Sequence, residues 1–211
     1  RRPGARMLVT ASDLTVGMIS GGCLENDVRE RARTVMASGK PCLVTYDSTA
    51  AEDIVFGLGL GCNGIVQVLI EPLVAGDASN LLAFLAACVA RRQLGRAVTV
   101  FQSDRLPLGS RLLRWPDGSL TANFDDPAAQ AALVEALRES ANRRTVVRRV
   151  DLHGGDSSAT VLIESVSPPL PLTIFGAGDD VIPLVELAKL VGWHVTIIDA
   201  RPAFATPGRF P

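Results

Sequence analysis

The sequence predicts a mixed α/β protein in two parts, an N-terminal domain followed by the start of a Rossmann-like β-α-β unit. Three observations predict it. Along residues 1–166, apolar β-branched runs alternate with stretches whose apolar residues recur at helical spacing. Ser167-Pro168-Pro169-Leu170-Pro171 is stiff, extended and poor in donors, which suits a linker at 167–171. Beyond it, residues 172–211 hold a strand, a glycine turn, a helix and a second strand. One β-α-β unit leaves strand edges exposed, so this second domain is expected to be incomplete, and the abrupt start at Arg1 and stop at Phe210-Pro211 suggest a fragment.

Met7 to Ala11 predicts a short strand. Ser20 is expected to cap a helix from about Cys23 to Ser38, with Gly39 as its stop. Leu24, Val28, Ala32, Val35 and Met36 form the apolar face of that helix, and Glu25, Asp27, Arg29, Glu30 and Arg33 the solvated one. Pro41 to Tyr46 and Ile65 to Ile70 predict strands. Asp77 can cap a helix over Ala78 to Gln93. Ala97 to Phe101, Ser110 to Trp115 and Ser119 to Asn123 predict strands, the last two joined by the Pro116-Asp117-Gly118 turn. A helix over Pro127 to Ala141 and strands at Thr145 to Val150 and Thr160 to Glu164 complete the first domain. In the second, Leu172 to Phe175, a helix from Asp179 to Val191 and His194 to Asp199 make the β-α-β unit, and Pro183 lies near enough to the helix start to be tolerated.

Composition narrows the function. The 211 residues carry a formal net charge of −1, so bulk electrostatics draw neither nucleic acid nor anionic membrane, and any anion site must be local. The longest apolar stretch, Leu81 to Ala90, falls well short of the roughly 20 residues of a membrane span. With no signal-peptide pattern, a cytoplasmic location is expected. Cysteines stand at 23, 42, 62 and 88 without a Cys-x-x-Cys, and the histidines are His153 and His194, so no zinc site is expected and the thiols are expected to be reduced. Cys42 and Cys88 lie in apolar runs and are expected to be buried and inert.

Two glycine-rich loops each present a cysteine: Ser20-Gly21-Gly22-Cys23-Leu24-Glu25, and a longer segment ending Gly61-Cys62-Asn63-Gly64. Glycine lets backbone N–H groups approach an anion, and a helix start favours a thiolate. Glu25 opposes both effects, so it either points away or has a task of its own, such as balancing a donor group. Asn63 suits the edge of an amide-like heterocycle. A serine cap and an irregular turn would also account for these loops, but the paired glycines exceed what either needs. The two loops are expected to converge on one ligand. Gly176-Ala177-Gly178, with Asp199 about 20 residues on, gives the first two glycines and the acid of a dinucleotide fingerprint. Val181 at the third small position and Asp179 with Asp180 weaken it, and Arg201 is placed to reach a phosphate if one binds.

These residues resemble the XdhC/CoxI family. The resemblance rests on Gly17-Met18-Ile19-Ser20-Gly21-Gly22-Cys23-Leu24-Glu25, on Gly59-Leu60-Gly61-Cys62-Asn63-Gly64 leading to Leu69-Ile70-Glu71-Pro72, and on Thr173-Ile174-Phe175-Gly176-Ala177-Gly178 leading to Val195-Thr196-Ile197-Ile198-Asp199-Ala200-Arg201-Pro202. It implies an accessory protein that binds molybdenum cofactor (molybdopterin) as cargo, turns nothing over itself, and delivers the cofactor to a xanthine dehydrogenase-type hydroxylase. It also implies a homodimer and, as sulfur source, a cysteine desulfurase. The cargo site is then expected at Ser20, Gly21, Gly22, Cys23, Glu25, Gly61, Cys62, Asn63 and Gly64, and a nucleotide at Gly176, Gly178 and Asp199. The competing readings are an NAD(P)-dependent oxidoreductase using the Gly176 turn, and a non-catalytic adaptor for hydroxylase assembly.

Overall fold

The structure, a computed structural model, describes residues 3–47, 64–74, 76–77, 80–140, 145–152, 154 and 157–211. Near the N-terminus, β1 (Met7–Val9) and β2 (Thr15–Gly17) form a small antiparallel pair, followed by α1 (Glu25–Ser38). The sequence does not predict the second strand, because all three of its residues are exposed and leave no alternation to read. Helix α1 ends where expected: Gly39 adopts φ 67° and its N–H closes on the Val35 carbonyl. It begins two residues later than expected. Leu24, not Ser20, occupies the N-cap, so Cys23 precedes the helix.

Strands β3 (Cys42–Asp47) and β4 (Ile65–Ile70) pair antiparallel, and their apolar faces close on α1. Leu24, Val28, Ala32, Val35, Tyr46 and Ile70 are the buried centre of that cluster. Met36, assigned to the same helical face, is exposed. Cys42 is half-buried against the cluster rather than fully enclosed. The Tyr46 hydroxyl donates to Asp27, which also holds Arg31, and so ties α1 to β3.

The larger layer is a five-stranded antiparallel sheet built from β5 (Gly95–Ser103), β6 (Arg111–Arg114), β7 (Leu120–Ala122), β8 (Thr145–Asp151) and β9 (Ser158–Val166), in the order β7-β6-β5-β9-β8. Alternate residues feed two cores. Val98, Val100, Leu112, Val161 and Ile163 face α3 (Pro127–Glu139), which buries Ala129, Leu133, Ala136 and Leu137. Each such leucine is worth about 1.5–3 kcal/mol of burial. Ala97 and Leu113 face α2 (Leu81–Arg91) and its fully buried Phe84 and Cys88. Burial pushes the Cys88 thiol upward, in keeping with an inert core cysteine. Asn80, rather than Asp77, caps α2, its side chain accepting from the Leu82 and Ala83 amides. Asp126 caps α3 through the Ala129 amide.

At the C-terminal end, β10 (Pro171–Phe175) and β11 (His194–Ile198) pair in parallel, joined through α4 (Val181–Leu190). This is the predicted β-α-β unit, with the helix shorter by two residues at its start and one at its end. Pro183 sits in its first turn, where no intrahelical N–H is missed. The mixed α/β architecture with a Rossmann-type unit thus stands as the sequence predicts.

Candidate functional site

The Ser20–Glu25 loop is built around a carboxylate from its own chain. Glu25 accepts from the Ile19 amide at 3.2 Å, the Ser20 amide at 2.7 Å and the Gly22 amide at 3.1 Å, and from the Ser20 hydroxyl. The Ser20 oxygen in turn accepts from Gly22 and Leu24. Gly22 takes φ 113°, a backbone region closed to most side chains, and this aims its N–H back into the ring of donors. Burial pushes the Glu25 carboxyl up, but the Ser20 hydroxyl and the Ser20, Glu25 and Ile19 amides outweigh it and hold the group at about 2. The task left open for Glu25 is therefore structural. The donors expected to meet a bound anion are spent on it.

That arrangement decides where the thiol goes. Leu24 is 1% exposed and anchors the loop in the α1 core, so its neighbour Cys23 faces solvent. Upstream, the Met18 amide closes on the Arg6 carbonyl, and Gly17 is required there: a Cβ would lie 2.5 Å from that oxygen. The loop is thus fixed at both ends, with Ser20, Gly21, Gly22, Cys23 and Glu25 brought together as predicted.

Of the second cysteine loop, Gly64 falls within the described residues. Gly61, Cys62 and Asn63 lie outside the described residues, and with them the distance between the two thiols. Gly64 leads into β4, and Glu71 follows it. The Glu71 carboxylate holds Arg111, which is buried and also donates to Thr99 Oγ1 at 3.1 Å. Beside it on the same sheet face, buried Glu164 pairs with Arg6 at 2.8 Å. Burial pushes the Glu164 carboxyl up, against the pull of Arg6 and Arg111. These two pairs join the cysteine-loop unit to the five-stranded sheet. Sequence reasoning missed Arg6, Arg111 and Glu164, whose partners lie 40 or more positions away; a lone acid in an apolar strand was the only signal.

The Gly176-Ala177-Gly178 turn is also held by an acid. Asp199 accepts from the Ala177 amide at 2.8 Å and from the amide and guanidinium of Arg201. The Arg201 side chain and amide, with the Ala177 amide, hold its carboxyl far below the usual range against a smaller effect of burial. Arg201 stacks 3.7 Å over Phe204, and Arg209 reaches from the far side to the Ala177 carbonyl and the Asp179 carboxylate. Gly176, Gly178 and Asp199 are brought together as predicted, with Arg201 bound to the acid. Among the described residues, no group of three or more His, Cys, Asp or Glu side chains is arranged to hold a metal, and no helix is long and apolar enough to cross a membrane.

Fold and loops together define a mixed α/β protein with a surface thiol on a glycine loop and a Rossmann-type turn. Residues 1–47 match the XdhC and CoxI family, and residues 172–211 match the XdhC Rossmann domain. At both ends, then, the chain is similar to the XdhC and CoxI family. It is 27% identical over 213 residues to a probable xanthine dehydrogenase subunit of Bacillus subtilis, covering 100% of this chain and 58% of that protein. The crystal structure of a xanthine dehydrogenase from Bacillus halodurans superposes with a TM-score of 0.71 at 26% identity, over 100% of this chain and 57% of that one. The chain therefore spans a little under three-fifths of the length of either relative.

Proposed function

We propose that this chain is part of an accessory protein that binds molybdenum cofactor and delivers it to a xanthine dehydrogenase-type hydroxylase. Supporting this is the outward-facing Cys23, set beside a helix start by a loop whose own charge is already satisfied. The fit to such a cargo is partial. A surface thiolate is a ligand for a soft metal and a site for sulfur exchange. The loop amides, being committed to Glu25, leave a pterin phosphate to other donors. When bound, the cargo supplies the metal–sulfur chemistry; Cys23 holds it, and Glu25 keeps the arch from collapsing over the thiol. Cys62 and Asn63 are the proposed second half of the site. A homodimer and a cysteine desulfurase partner belong to the same proposal.

Anaerobic loading of the protein with molybdenum cofactor, followed by gel filtration, tests it. Wild-type protein is expected to retain cofactor, and Cys23→Ala and Cys62→Ala to lose most of it. Equal retention by all three would overturn the reading. The relative named for a dehydrogenase favours a second reading, an adaptor without cargo, which predicts hydroxylase binding indifferent to both cysteines.

A further inference from the structure

We propose that the cleft where β5 and β6 meet the 116–118 turn binds a small oxyanion, a phosphate or the phosphate end of an organic ester. The cleft has a volume of about 100 Å³ and is lined by Leu94, Arg96, Arg114, Trp115, Pro116 and Gly118. Arg96 and Arg114 face each other directly across the β5–β6 pair. Like charges so placed repel, and such a pairing is unfavourable unless something anionic sits between them.

Neither guanidinium meets a carboxylate among the described residues. Arg96 is only 5% exposed, yet its acceptors are neutral: the Ser165 hydroxyl at 3.3 Å, the Ser140 carbonyl at 2.8 Å and the Leu137 carbonyl. Those two carbonyls end α3, so Arg96 caps that helix, leaving Arg114 as the uncompensated charge. By contrast, Arg6, Arg33, Arg105 and Arg111 all close on carboxylates. The one acid in the adjoining turn is taken: Asp117 is held by the Ser119 hydroxyl and amide and by Arg91, on the side of α2. Burial, then the charge of Arg114, pushes the Arg96 guanidinium down, the direction expected where a counter-anion is lacking.

The walls suit an anion as well. The Trp115 indole N–H is engaged by Thr121 and its ring stands edge-on to Phe84 at 5.4 Å, which fixes one side. Leu94 and Pro116 make the cleft apolar around the Arg114 fork, with the buried Arg96 charge behind it, conditions in which a guanidinium grips an oxyanion with geometric specificity. This site does not depend on the cargo role, and its failure would leave that role untouched.

The test uses Trp193→Phe protein, in which Trp115 is the sole tryptophan of the chain. Its emission is followed while inorganic phosphate, and separately phenyl phosphate, replaces chloride at constant ionic strength, with calorimetry on the same samples. A saturable response is expected at millimolar phosphate, with Arg114→Ala weakening it about tenfold or more and Arg114→Lys in between. Tighter phenyl phosphate assigns the site to an ester, and equal affinity to the free ion. No saturable response by either method, or an unchanged midpoint in Arg114→Ala, overturns the proposal. Arg114 is exposed and its loss relieves the repulsion with Arg96, so the melting temperature in chloride should not fall.

Discussion

The two glycine turns of this chain solve one problem in two ways. In each, a carboxylate accepts backbone amides of the turn: Glu25, in the loop itself, from Ile19, Ser20 and Gly22, and Asp199, 22 residues on, from Ala177. At the C-terminal turn an arginine follows the acid into the site, so its charge is cancelled and Arg209 covers the turn. At the N-terminal loop only neutral donors surround the acid, and the residue left uncovered is a thiol. A glycine pair with an acid folded onto it is therefore an organised turn. Whether the turn is sealed or presents a reactive group depends on which side chain stands next to the acid.

The largest effect expected from breaking this comparison is at Glu25. Glu25→Ala removes a charged acceptor from several donors and should cost about 2–3 kcal/mol, lowering the melting temperature by about 4–10 °C. Hydrogen exchange should show lost protection at the Ile19, Ser20 and Gly22 amides, with Ala177 unaffected. Asp199→Asn should cost less, because the amide side chain still accepts from Ala177. Its exchange pattern should be the mirror image, with the N-terminal loop unchanged.

Acid sharpens the contrast further. Glu25 sits lower in the folded protein, at about 2, than its ordinary 4.5, so it binds its proton more readily when unfolded. Its stabilisation is fully present above pH 4.5 and is lost as pH falls toward 2. Glu164 is raised above 4.5, the opposite sign: it favours the folded state when protonated, so acid adds stability through it as pH falls through its raised folded value. Melting curves for wild type and Glu25→Gln should differ above pH 4.5 and converge as the pH falls toward 2. The smallest effect expected is at Arg201→Ala, a barely measurable change in melting temperature, since Arg201 is 57% exposed and the pair is screened by water. The same variant sharpens the nucleotide reading. If NAD(H) binds at this turn, calorimetry should show it binding no more weakly once Arg201 no longer occupies Asp199, whereas Asp199→Ala should abolish it.

Much of the architecture was legible because its signals are local. The αL stop at Gly39, the Pro116-Asp117-Gly118 turn, the strand at Ile65–Ile70 and the parallel β-α-β unit follow from residues a few positions apart. Helix starts were less legible. Ser20 and Asp77 each had the chemistry of a cap, but a cap is chosen by where the chain enters the core, and burial of Leu24 and the position of Asn80 decided it. At the site, the cluster of Ser20, Gly21, Gly22, Cys23 and Glu25 was legible, and the task of Glu25 was not, since its alternatives differ only in side-chain direction.

Sequence alone determined the order of elements, the glycine positions that must turn, and the similarity to the XdhC and CoxI family, because each depends on short-range backbone preference or on identity at neighbouring positions. Tertiary structure decided which groups lost water and who their partners became. Arg6 met Glu164, Arg111 met Glu71, and Arg96 met the end of α3, across separations of 158, 40 and 41 residues. The energy of a charge depends on its surroundings after folding. No reading of neighbours along the chain supplies those surroundings.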